Sequence, residues 1–315
     1  MRKIILAVGA VLAASLPSSA EPLSYPHKVV TLVTHSSPGG GSDVFLRVLV
    51  KYLGRQIDAN FVVENVQGGS GAKAMARLAQ SPADGSIFYA TTPTYIYTSL
   101  LSAPEYKYDA LQPVVNFFTD SEVVYTAANS PYNSLADVIA HAKESRGRWG
   151  TANPASLERQ AAEQLKAAAG VDAAIVTHEG GGDMMINVLN GTLDVGIGEV
   201  QELRSQIEAK QIRLLATFNP ERMKDFPDVP TVKESGYDVV LQKFRGLAAP
   251  KGLPDDVAAI WDKATQAVLA DAEYKKLYEE ESLVGNFIDH TKYPAFVDQF
   301  ATETTAFLKK SGAIQ

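Results

Sequence analysis

The 315-residue sequence contains no cysteine. Disulfides, thiol catalysis and cysteine-ligated metal sites are therefore excluded, and stability must come from the burial of apolar side chains. Attachment of a lipid to an N-terminal cysteine is excluded as well. Long apolar runs are also scarce: only Ile4 to Leu16 forms one, and it is shorter than the ~20 residues that span a bilayer.

That apolar run is typical of a cleavable secretory signal. Arg2 and Lys3 precede it, Pro17 ends it, and Ser18 and Ala20 supply the small residues that a signal peptidase recognises. We predict a signal peptide over residues 1–20, with cleavage after Ala20. A soluble mature chain without a lipid anchor is expected to be retained in the periplasm.

Basic residues are in the minority, with 29 Lys and Arg against 36 Asp and Glu. The formal net charge of −7 becomes about −9 once Arg2 and Lys3 are removed. An acidic surface disfavours nucleic acid and anionic membranes as partners. A hydrophobic content of 46% is ample for globular cores. An anionic ligand would need a local site that acts against the overall field.

Strand-like and helix-like segments alternate along the chain, which predicts an α/β protein with largely parallel sheets. The first block has predicted strands at His27–Thr34, Phe61–Asn65 and Ile87–Thr91, with helices at Asp43–Gln56 and Gly71–Gln80. A middle block repeats this alternation from Leu135 to Phe218, and the C-terminal part is helical.

Two segments between the blocks are predicted to be crossings between lobes rather than ordinary strands. They are Val123–Ala128 and Phe244–Pro250. The first lobe would then be discontinuous, with residues 24–122 plus 246–315, and the second would comprise residues 123–245. Two connecting strands are what hinge closure of two lobes around a ligand needs.

The strongest local motif is a glycine-rich turn between a predicted strand and a predicted helix. It comprises Ser36, Ser37, Pro38, Gly39, Gly40, Gly41, Ser42 and Asp43. Glycines let a ligand approach the backbone, and the following helix offers free N–H groups to a carboxylate or phosphate. The nucleotide motifs G-x-G-x-x-G and Gly-Lys-Ser/Thr are absent. The alternative is a tight turn in which Ser42 or Asp43 caps the helix.

Two further glycine loops occupy equivalent positions, at Gly68–Gly71 and at Gly180–Asp183. Ligands of open α/β sheets bind at the carboxyl ends of the strands. The three loops are therefore predicted to line one cleft.

The order of motifs resembles the receptors of tripartite tricarboxylate transporters, the Bug or TctC-like family. The similarity extends over the whole predicted mature chain. The motifs that carry it are Tyr25-Pro26, PGGGSD, VVEN, SPADG at Ser81–Gly85, LNGTLDVG at Leu189–Gly196, FPDVPTVKESGY at Phe226–Tyr237 and GLAAPKGLP at Gly246–Pro254.

The resemblance implies a type II periplasmic binding fold, in which two α/β lobes joined by a two-strand hinge close on a carboxylate. It implies no cofactor, a membrane permease as partner and no need for more than a monomer. Ser37, Gly39, Gly40, Gly41 and Asp43 match the first-lobe carboxylate loop of the family. Ala155 and Ser156 match its second-lobe loop, at the start of a helix.

Departures from the family pattern concern the ligand. Arg159 stands where a histidine is usual, and Arg245, after Phe244, stands where an aromatic residue is usual. Either arginine would grip a second carboxylate as a fork, or would pair on the surface with Glu158, Glu179 or Glu199. The sequence is compatible with either role for each arginine.

Aromatic residues and histidines give further candidates. After the third predicted strand, Thr92 is followed by Tyr95 and Tyr97, whose alternation fits an extended segment that either forms an aromatic wall or belongs to the core. His178 and Glu179 are neighbours on a predicted strand and would face opposite sides, so they do not form a catalytic dyad. His35 is better placed for ligand contact, with a structural hydrogen bond as the alternative.

We therefore predict a receptor without catalytic residues, metal or cofactor, which binds an aromatic or dicarboxylic acid for a membrane permease. The candidate ligand-binding residues are Ser36, Ser37, Pro38, Gly39, Gly40, Gly41, Asp43, Thr92, Tyr95, Ala155, Ser156, Arg159, His178, Gly180, Glu199, Phe244 and Arg245. One alternative is a secreted hydrolase that uses Ser37 or Ser42 with His35 and Asp43, although the G-x-S-x-G motif is absent. Another is a ligand sensor for a membrane-bound kinase.

Overall fold

The computed structural model describes residues 21–315, and the predicted signal peptide lies outside these residues. Eleven strands and ten α-helices alternate along this part of the chain. The strands are β1 Val29–Thr34, β2 Asn60–Asn65, β3 Ile87–Thr91, β4 Leu111–Asp120, β5 Glu122–Ala127, β6 Arg148–Thr151, β7 Ala174–Thr177, β8 Val195–Glu199, β9 Ile212–Thr217, β10 Lys243–Pro250 and β11 Val284–Ile288. The helices are α1 Gly41–Gln56, α2 Ala72–Ala79, α3 Pro93–Leu101, α4 Leu135–Glu144, α5 Leu157–Ala169, α6 Gly181–Leu189, α7 Val200–Glu208, α8 Asp255–Ala270, α9 Ala272–Glu280 and α10 Tyr293–Lys310.

The strands form two separate sheets. The first has six strands in the order β11-β4-β10-β3-β1-β2, and the second has five in the order β7-β6-β8-β5-β9. β1 is parallel to both β2 and β3, and β6 is parallel to both β7 and β8. Antiparallel strands complete each sheet, since β10 pairs with β3 and β4, and β5 pairs with β8 and β9. The α/β class predicted from the sequence is confirmed, but the prediction of largely parallel sheets is wrong, because both sheets are mixed and β11 also pairs antiparallel with β4. We call the body around the six-stranded sheet the first lobe and the other the second lobe.

Each lobe has its own apolar core with one buried tryptophan. In the first lobe, Trp261 of α8 lies against Phe88 of β3, with ring centroids 4.5 Å apart, and its indole N–H donates to the hydroxyl of Tyr25. In the second lobe, Trp149 of β6 is buried among side chains of α4, α5 and β8.

The chain passes between the lobes at two places. Ser121 alone separates β4 of the first sheet from β5 of the second, and residues 218–242 lead from β9 back to β10. Asp120, Glu122 and Lys243 lie at the ends of the strands that flank these passages. Charged side chains therefore stand at the base of the cleft between the lobes.

Two sequence predictions about local structure are wrong. Val123–Ala128 and Phe244–Pro250 are not mere crossings, because β5 and β10 pair on both sides within their sheets. Tyr95 and Tyr97 do not lie on an extended segment but in helix α3, which begins with Pro93 at its first position. Proline is favoured there. The helix is buried on nearly every side, so it lacks the polar face that would reveal its period.

Among residues 21–315, no helix has both the length and the apolar character that crossing a bilayer requires.

Candidate functional site

A small polar cavity lies between the lobes, at the ends of strands from both sheets. Its volume is about 20 Å³, which is room for about one water molecule. The first turns of five helices reach it, through Gly41 and Ser42 of α1, Thr94 of α3, Glu158 of α5, Gly181 of α6 and Glu202 of α7. The remaining lining residues are His35, Ser36, Ala152, Asn153, Glu179, Gly180, Glu199 and Lys243.

The first-lobe wall is the glycine-rich turn, and Asp43 holds its shape. The Asp43 carboxylate accepts the backbone N–H of Gly39 at 2.9 Å, and it is itself held by Arg47 and Asn65. Gly39 has a φ of +79°, in the left-handed region that favours glycine. Burial alone would raise the pKa of Asp43, but the hydrogen bonds from Arg47 and Gly39 lower it below its usual value. The ionised carboxylate therefore stabilises the loop from beneath.

The second-lobe wall is the loop at the start of α6, which touches the first-lobe turn directly. A Cβ atom added at Gly180 would lie 2.7 Å from the backbone nitrogen of Ser37. One added at Gly182 would lie 2.6 Å from the carbonyl oxygen of Pro38. These two glycines allow the lobes to approach to backbone contact.

A protein carboxylate occupies the N-terminus of α1. The backbone N–H of Gly41 donates to Oε2 of Glu202 at 2.9 Å, although Glu202 belongs to the opposite lobe. The other oxygen of Glu202 accepts the backbone N–H of Glu199 at 3.2 Å. The backbone donor expected to hold a ligand anion therefore already binds a carboxyl group of the protein.

Two cations stand at the base of the cavity, both on β10. Lys243 and Arg245 are two residues apart and point to the same side of the strand, toward the cleft. The ammonium group of Lys243 lies 2.6 Å from Glu158 and 3.2 Å from Glu122, and it also contacts Glu199. The guanidinium of Arg245 lies 2.5 Å from Asp120 and 3.2 Å from Glu199.

Carboxyl groups outnumber these cations. Five of them are buried here, Asp120, Glu122, Glu158, Glu199 and Glu202, against Lys243 and Arg245. Burial, followed by the adjacent charge of Glu199, raises the pKa of Glu202 well above its ordinary value. Burial also raises the pKa of Glu122 strongly, despite the opposing charge of Lys243.

Two further members of this ionic group, Glu199 and Lys243, have charges fixed by their neighbours. Burial alone would raise the pKa of Glu199, but Lys243 and Arg245 hold it well below its usual range. Burial alone would lower the pKa of Lys243, but Glu122, Glu158 and Glu199 raise it well above its usual value. Lys243 is therefore a permanent cation and Glu199 a permanent anion.

His35 supplies no positive charge. Burial, with the nearby Lys243, lowers its pKa to about 4. Its Nδ1 forms a 2.7 Å hydrogen bond with the Tyr89 hydroxyl. The neutral imidazole therefore contributes a polar edge to the cavity.

The structure brings only some of the predicted site residues to the cavity. Ser36, Gly41, Gly180 and Glu199 line it. Ser37, Pro38, Gly39 and Gly40 form the adjacent lobe contact, since a Cβ added at Gly180 or Gly182 would approach them. Arg245 lies just behind Glu199 and Ser42, fully buried and not on the surface.

Other predicted residues lie elsewhere. Thr92 precedes α3 as its N-cap, and Ser156 caps α5 by accepting the N–H of Arg159. Ala155 is buried beside Tyr97 and Leu157 in a small apolar cluster. Arg159 forms a salt bridge with Glu163 at 2.6 Å. It therefore pairs with a protein carboxylate, as one of the two alternatives expected, but the partner is not Glu158, Glu179 or Glu199. His178 lies between Thr151 and the side-chain amide of Asn187, outside the cavity lining.

Phe244 and Tyr95 face the first-lobe core and not the cleft. Alternate residues of a strand face opposite sides, so Phe244 points away from the side that Lys243 and Arg245 share. Its ring lies 6.4 Å from Tyr95 and 5.2 Å from Phe300, measured between centroids. Both Phe244 and Tyr95 are almost fully buried. Tyr95 therefore belongs to the apolar core, which is one of the two alternatives that the sequence left open.

Sequence reasoning missed Thr94, Ala152, Asn153, Glu202 and Lys243 among the lining residues, whereas Gly181 belongs to the predicted glycine loop Gly180–Asp183. One signal was available for Glu202, because Glu199 and Glu202 have the spacing of a capping box at the start of α7. Lys243 gives no comparable local signal, since its three carboxylate partners come from distant parts of the chain.

The residues of the hydrolase alternative do not form a triad. Asp43 binds Arg47 and Asn65, and His35 binds Tyr89 through Nδ1. The hydroxyl of Ser42 accepts a hydrogen bond from Arg245 at 3.2 Å. In this arrangement the expected acid does not orient the histidine, as a triad would require.

Comparison with known proteins gives a consistent result. Residues 45–313 match the family model described as "Tripartite tricarboxylate transporter family receptor". A Cupriavidus necator protein, "UPF0065 protein in gbd 5'region", is 24% identical over 314 residues, which cover 98% of this chain and 95% of that protein.

Two solved structures share the fold. "R. palustris Rpa4515 with adipate" has a TM-score of 0.86 at 23% identity, covering 91% of this chain and 98% of that one. "MatC (Rpa3494) from Rhodopseudomonas palustris with bound malate" has a TM-score of 0.79 at 19% identity, covering 91% of this chain and 99% of that one. The periplasmic binding fold predicted from the sequence is confirmed.

Proposed function

This chain belongs to the tripartite tricarboxylate transporter receptor family, and we propose that it is a periplasmic receptor for a small aliphatic organic acid. It binds the acid between its two lobes and delivers it to membrane subunits of a transporter of that kind. The motifs in the sequence predicted this family, and the match over residues 45–313 confirms the membership.

The observation that carries the proposal is the convergence of five helix N-termini from both lobes on one cavity. Unpaired N–H groups and the helix dipole favour an anion at such a place. Gly41 provides a donor of this kind, since its N–H already binds a carboxyl oxygen of Glu202. We propose that the carboxylate of the ligand takes the place of Glu202 at Gly41 when the lobes separate and close again.

An aliphatic ligand fits the lining better than an aromatic one. Within residues 21–315, the side chains that line the cavity include no phenylalanine, tyrosine or tryptophan. Tyr95, which supported an aromatic acid, belongs to the core. The neighbours with adipate and malate support the same chemical class, since both compounds are aliphatic dicarboxylates.

The first test is the thermal stability of the purified protein against a panel of small acids. The panel includes aliphatic mono-, di- and tricarboxylates, aromatic acids, and phosphate esters. A ligand present at a hundred times its dissociation constant adds about 2.7 kcal/mol to the free energy of unfolding, which shifts the melting temperature visibly. A response confined to aliphatic carboxylates supports the proposal. A response only to phosphate esters, or to none of the acids, contradicts it.

Asp43 gives a residue-specific test of the anion loop. Asp43→Ala removes the acceptor of the Gly39 N–H, so we expect the loop to lose its shape and the affinity for the acid to fall at least tenfold, or about 1.4 kcal/mol. Isothermal calorimetry measures the change. Asp58→Ala is the control, because Asp58 lies in the same lobe and forms an exposed pair with Lys28. Equal ligand affinity in the two variants would contradict the assignment of the glycine-rich turn to the binding site.

Transport itself is tested in cells. Deletion of the permease subunits should abolish growth on the acid that the receptor binds. Growth that continues normally would favour the alternative of a sensor that reports the ligand to a membrane-bound kinase.

A further inference from the structure

The charge of the cavity wall does not match a ligand that carries only carboxylates. Four glutamates line the cavity, Glu158, Glu179, Glu199 and Glu202, against one cation, Lys243. His35 is neutral and adds no positive charge. A dicarboxylate would bring further negative charge into a wall that already has an excess.

The two buried cations are already paired with carboxyl groups of the protein. An ammonium group has three N–H donors, and Lys243 faces three carboxyl groups, those of Glu122, Glu158 and Glu199. Arg245 is held by Asp120, Glu199 and Ser42. Nη2 of Arg245 has no hydrogen-bond partner among the described residues, but Arg245 does not line the cavity. Lys243, which does line it, already contacts three carboxyl groups.

One buried carboxylate oxygen in the cavity wall lacks a hydrogen-bond donor. Oε2 of Glu158 has no hydrogen-bond partner among the described residues, while its Oε1 binds Lys243 at 2.6 Å. Glu158 is 4% exposed and lines the cavity. A buried polar atom needs a partner, and a carboxylate oxygen can only accept. The partner that this oxygen requires is therefore a donor located in the cavity.

The position and the pKa of Glu202 are also compatible with a donor cation in the cavity. Glu202 is held at Gly41 only while the lobes are in contact, because the two residues belong to different lobes. Its raised pKa means that it meets the excess of negative charge by retaining a proton. A cation in the cavity would replace that proton and leave Glu202 ionised.

We propose that the acid bound in this cleft also carries a protonated amino group, which Glu158 binds together with Glu199 and Glu202. The ligand is then an amino acid in the broad sense, with its carboxylate at the N-terminus of α1 and its ammonium group against the glutamates. This inference rests on the proposed receptor function and specifies the chemical class of its ligand.

The test compares ligands of equal length that differ only in charged groups. Calorimetric titration of the purified protein would use linear dicarboxylates of three to six carbons, the matching ω-amino acids and α,ω-diamines, and the 2-amino derivatives of the same dicarboxylates. Mg²⁺, Ca²⁺ and Mn²⁺ salts would be titrated separately. We expect one amino acid to bind at least tenfold more tightly than the dicarboxylate of the same length.

Each of the other outcomes contradicts either the amino group of the ligand or the proposed receptor function. A dicarboxylate that binds as tightly as its amino-acid counterpart overturns the amino group and leaves the receptor function intact. Binding of diamines without binding of any acid contradicts the receptor function and retains the cation site. Metal binding that excludes the amino acid overturns the inference, because Glu122, Glu158 and Glu199 would then serve a metal ion.

A pair of variants locates the ammonium group. Glu158→Gln keeps the shape of the side chain but removes its charge, so amino-acid affinity should fall at least tenfold while dicarboxylate affinity is unchanged or higher. Glu163→Gln is the matched control, since Glu163 lies on the same helix in a half-buried pair with Arg159. Dicarboxylate binding by the Glu158→Gln protein verifies that its site is folded. An equal loss for both ligand classes would contradict the assignment of Glu158.

Discussion

Glycine residues determine how closely the two lobes approach each other. Gly182 lies in the first turn of α6, where a Cβ atom would stand 2.6 Å from the carbonyl oxygen of Pro38 in the opposite lobe. A backbone oxygen in a short loop cannot move aside easily. The closed cleft therefore tolerates no side chain at this position, whereas an open cleft would.

We expect Gly182→Ala to weaken ligand binding at least tenfold without lowering the melting temperature of the ligand-free protein. The physical reason is that alanine suits a helix better than glycine, by ~0.5–1 kcal/mol, but obstructs closure. Calorimetry and thermal unfolding measure the two effects. Gly54→Ala in α1 is the control, since no atom lies within 4 Å of a Cβ added there. Identical ligand affinities in the two variants would show that closure does not depend on Gly182.

Some site residues were predictable at the scale of single residues, and others were not. Ser36 and Gly41 belong to a local motif between a strand and a helix, so their placement follows from nearby sequence. Glu202 reaches the cavity through a contact with Gly41, which is 161 residues away. Lys243 likewise depends on partners from β5, α5 and β8. Contacts between residues so distant in sequence arise only from the tertiary structure.

The turn between α9 and β11 contacts both the second lobe and the connection at Ser121. The carbonyl of Glu280 accepts a hydrogen bond from Arg204 of the second lobe, and the carbonyl of Ser282 accepts one from Ser121. Between them, Glu281 is mostly buried. Burial, followed by the charge of Asp120, raises its pKa to about 7.

This carboxyl group makes stability depend on pH. In the unfolded chain Glu281 ionises near its ordinary pKa of about 4.3, but in the folded protein it ionises only near pH 7. The folded state is therefore penalised as pH rises through this window, and the penalty is complete above pH 7. Glu281→Gln should raise the free energy of unfolding by about 2–3 kcal/mol at pH 8 and leave it unchanged below pH 4.

Denaturant unfolding at several pH values measures this difference. Glu279→Gln is a suitable control, because its side chain is exposed and pairs with Lys275. A stabilisation by Glu281→Gln that is the same at pH 4 and pH 8 would contradict the role assigned to ionisation.

Most helices and strands were predictable because their apolar side chains recur at the right period. The predicted strands Phe61–Asn65 and Ile87–Thr91 coincide closely with β2 and β3. Helix α3 was not predictable, since residues Pro93–Ser99 are all buried and give no polar face. Strand β4 was also missed. It forms only because β10 and β11, from much later in the chain, pair with it.

The two lobes of the molecule are in direct contact in this structure. A cavity of about 20 Å³ is too small for any of the acids considered, so a ligand enters only after the lobes separate. Ligand binding then stabilises the closed arrangement by differential contact with both lobes. The connections at Ser121 and at residues 218–242 are the places where the chain would bend.

We expect small-angle X-ray scattering to detect this motion. Without ligand, the radius of gyration should exceed the value calculated for the closed arrangement, and saturating ligand should reduce it to that value. The Gly182→Ala protein should show a smaller reduction at the same ligand occupancy. A radius of gyration equal to the closed value in both conditions would contradict opening as the route of entry.

The distribution of the two tryptophans has a practical consequence. Trp261 lies in the core of one lobe and Trp149 in the core of the other, and the sequence contains no third. Each lobe thus has a single tryptophan, shielded from solvent in the native state. Replacing either indole by phenylalanine leaves a tryptophan emission, excited selectively over that of the tyrosines, that reports on one lobe alone. The order in which the two halves lose their structure can then be followed optically, without any attached label.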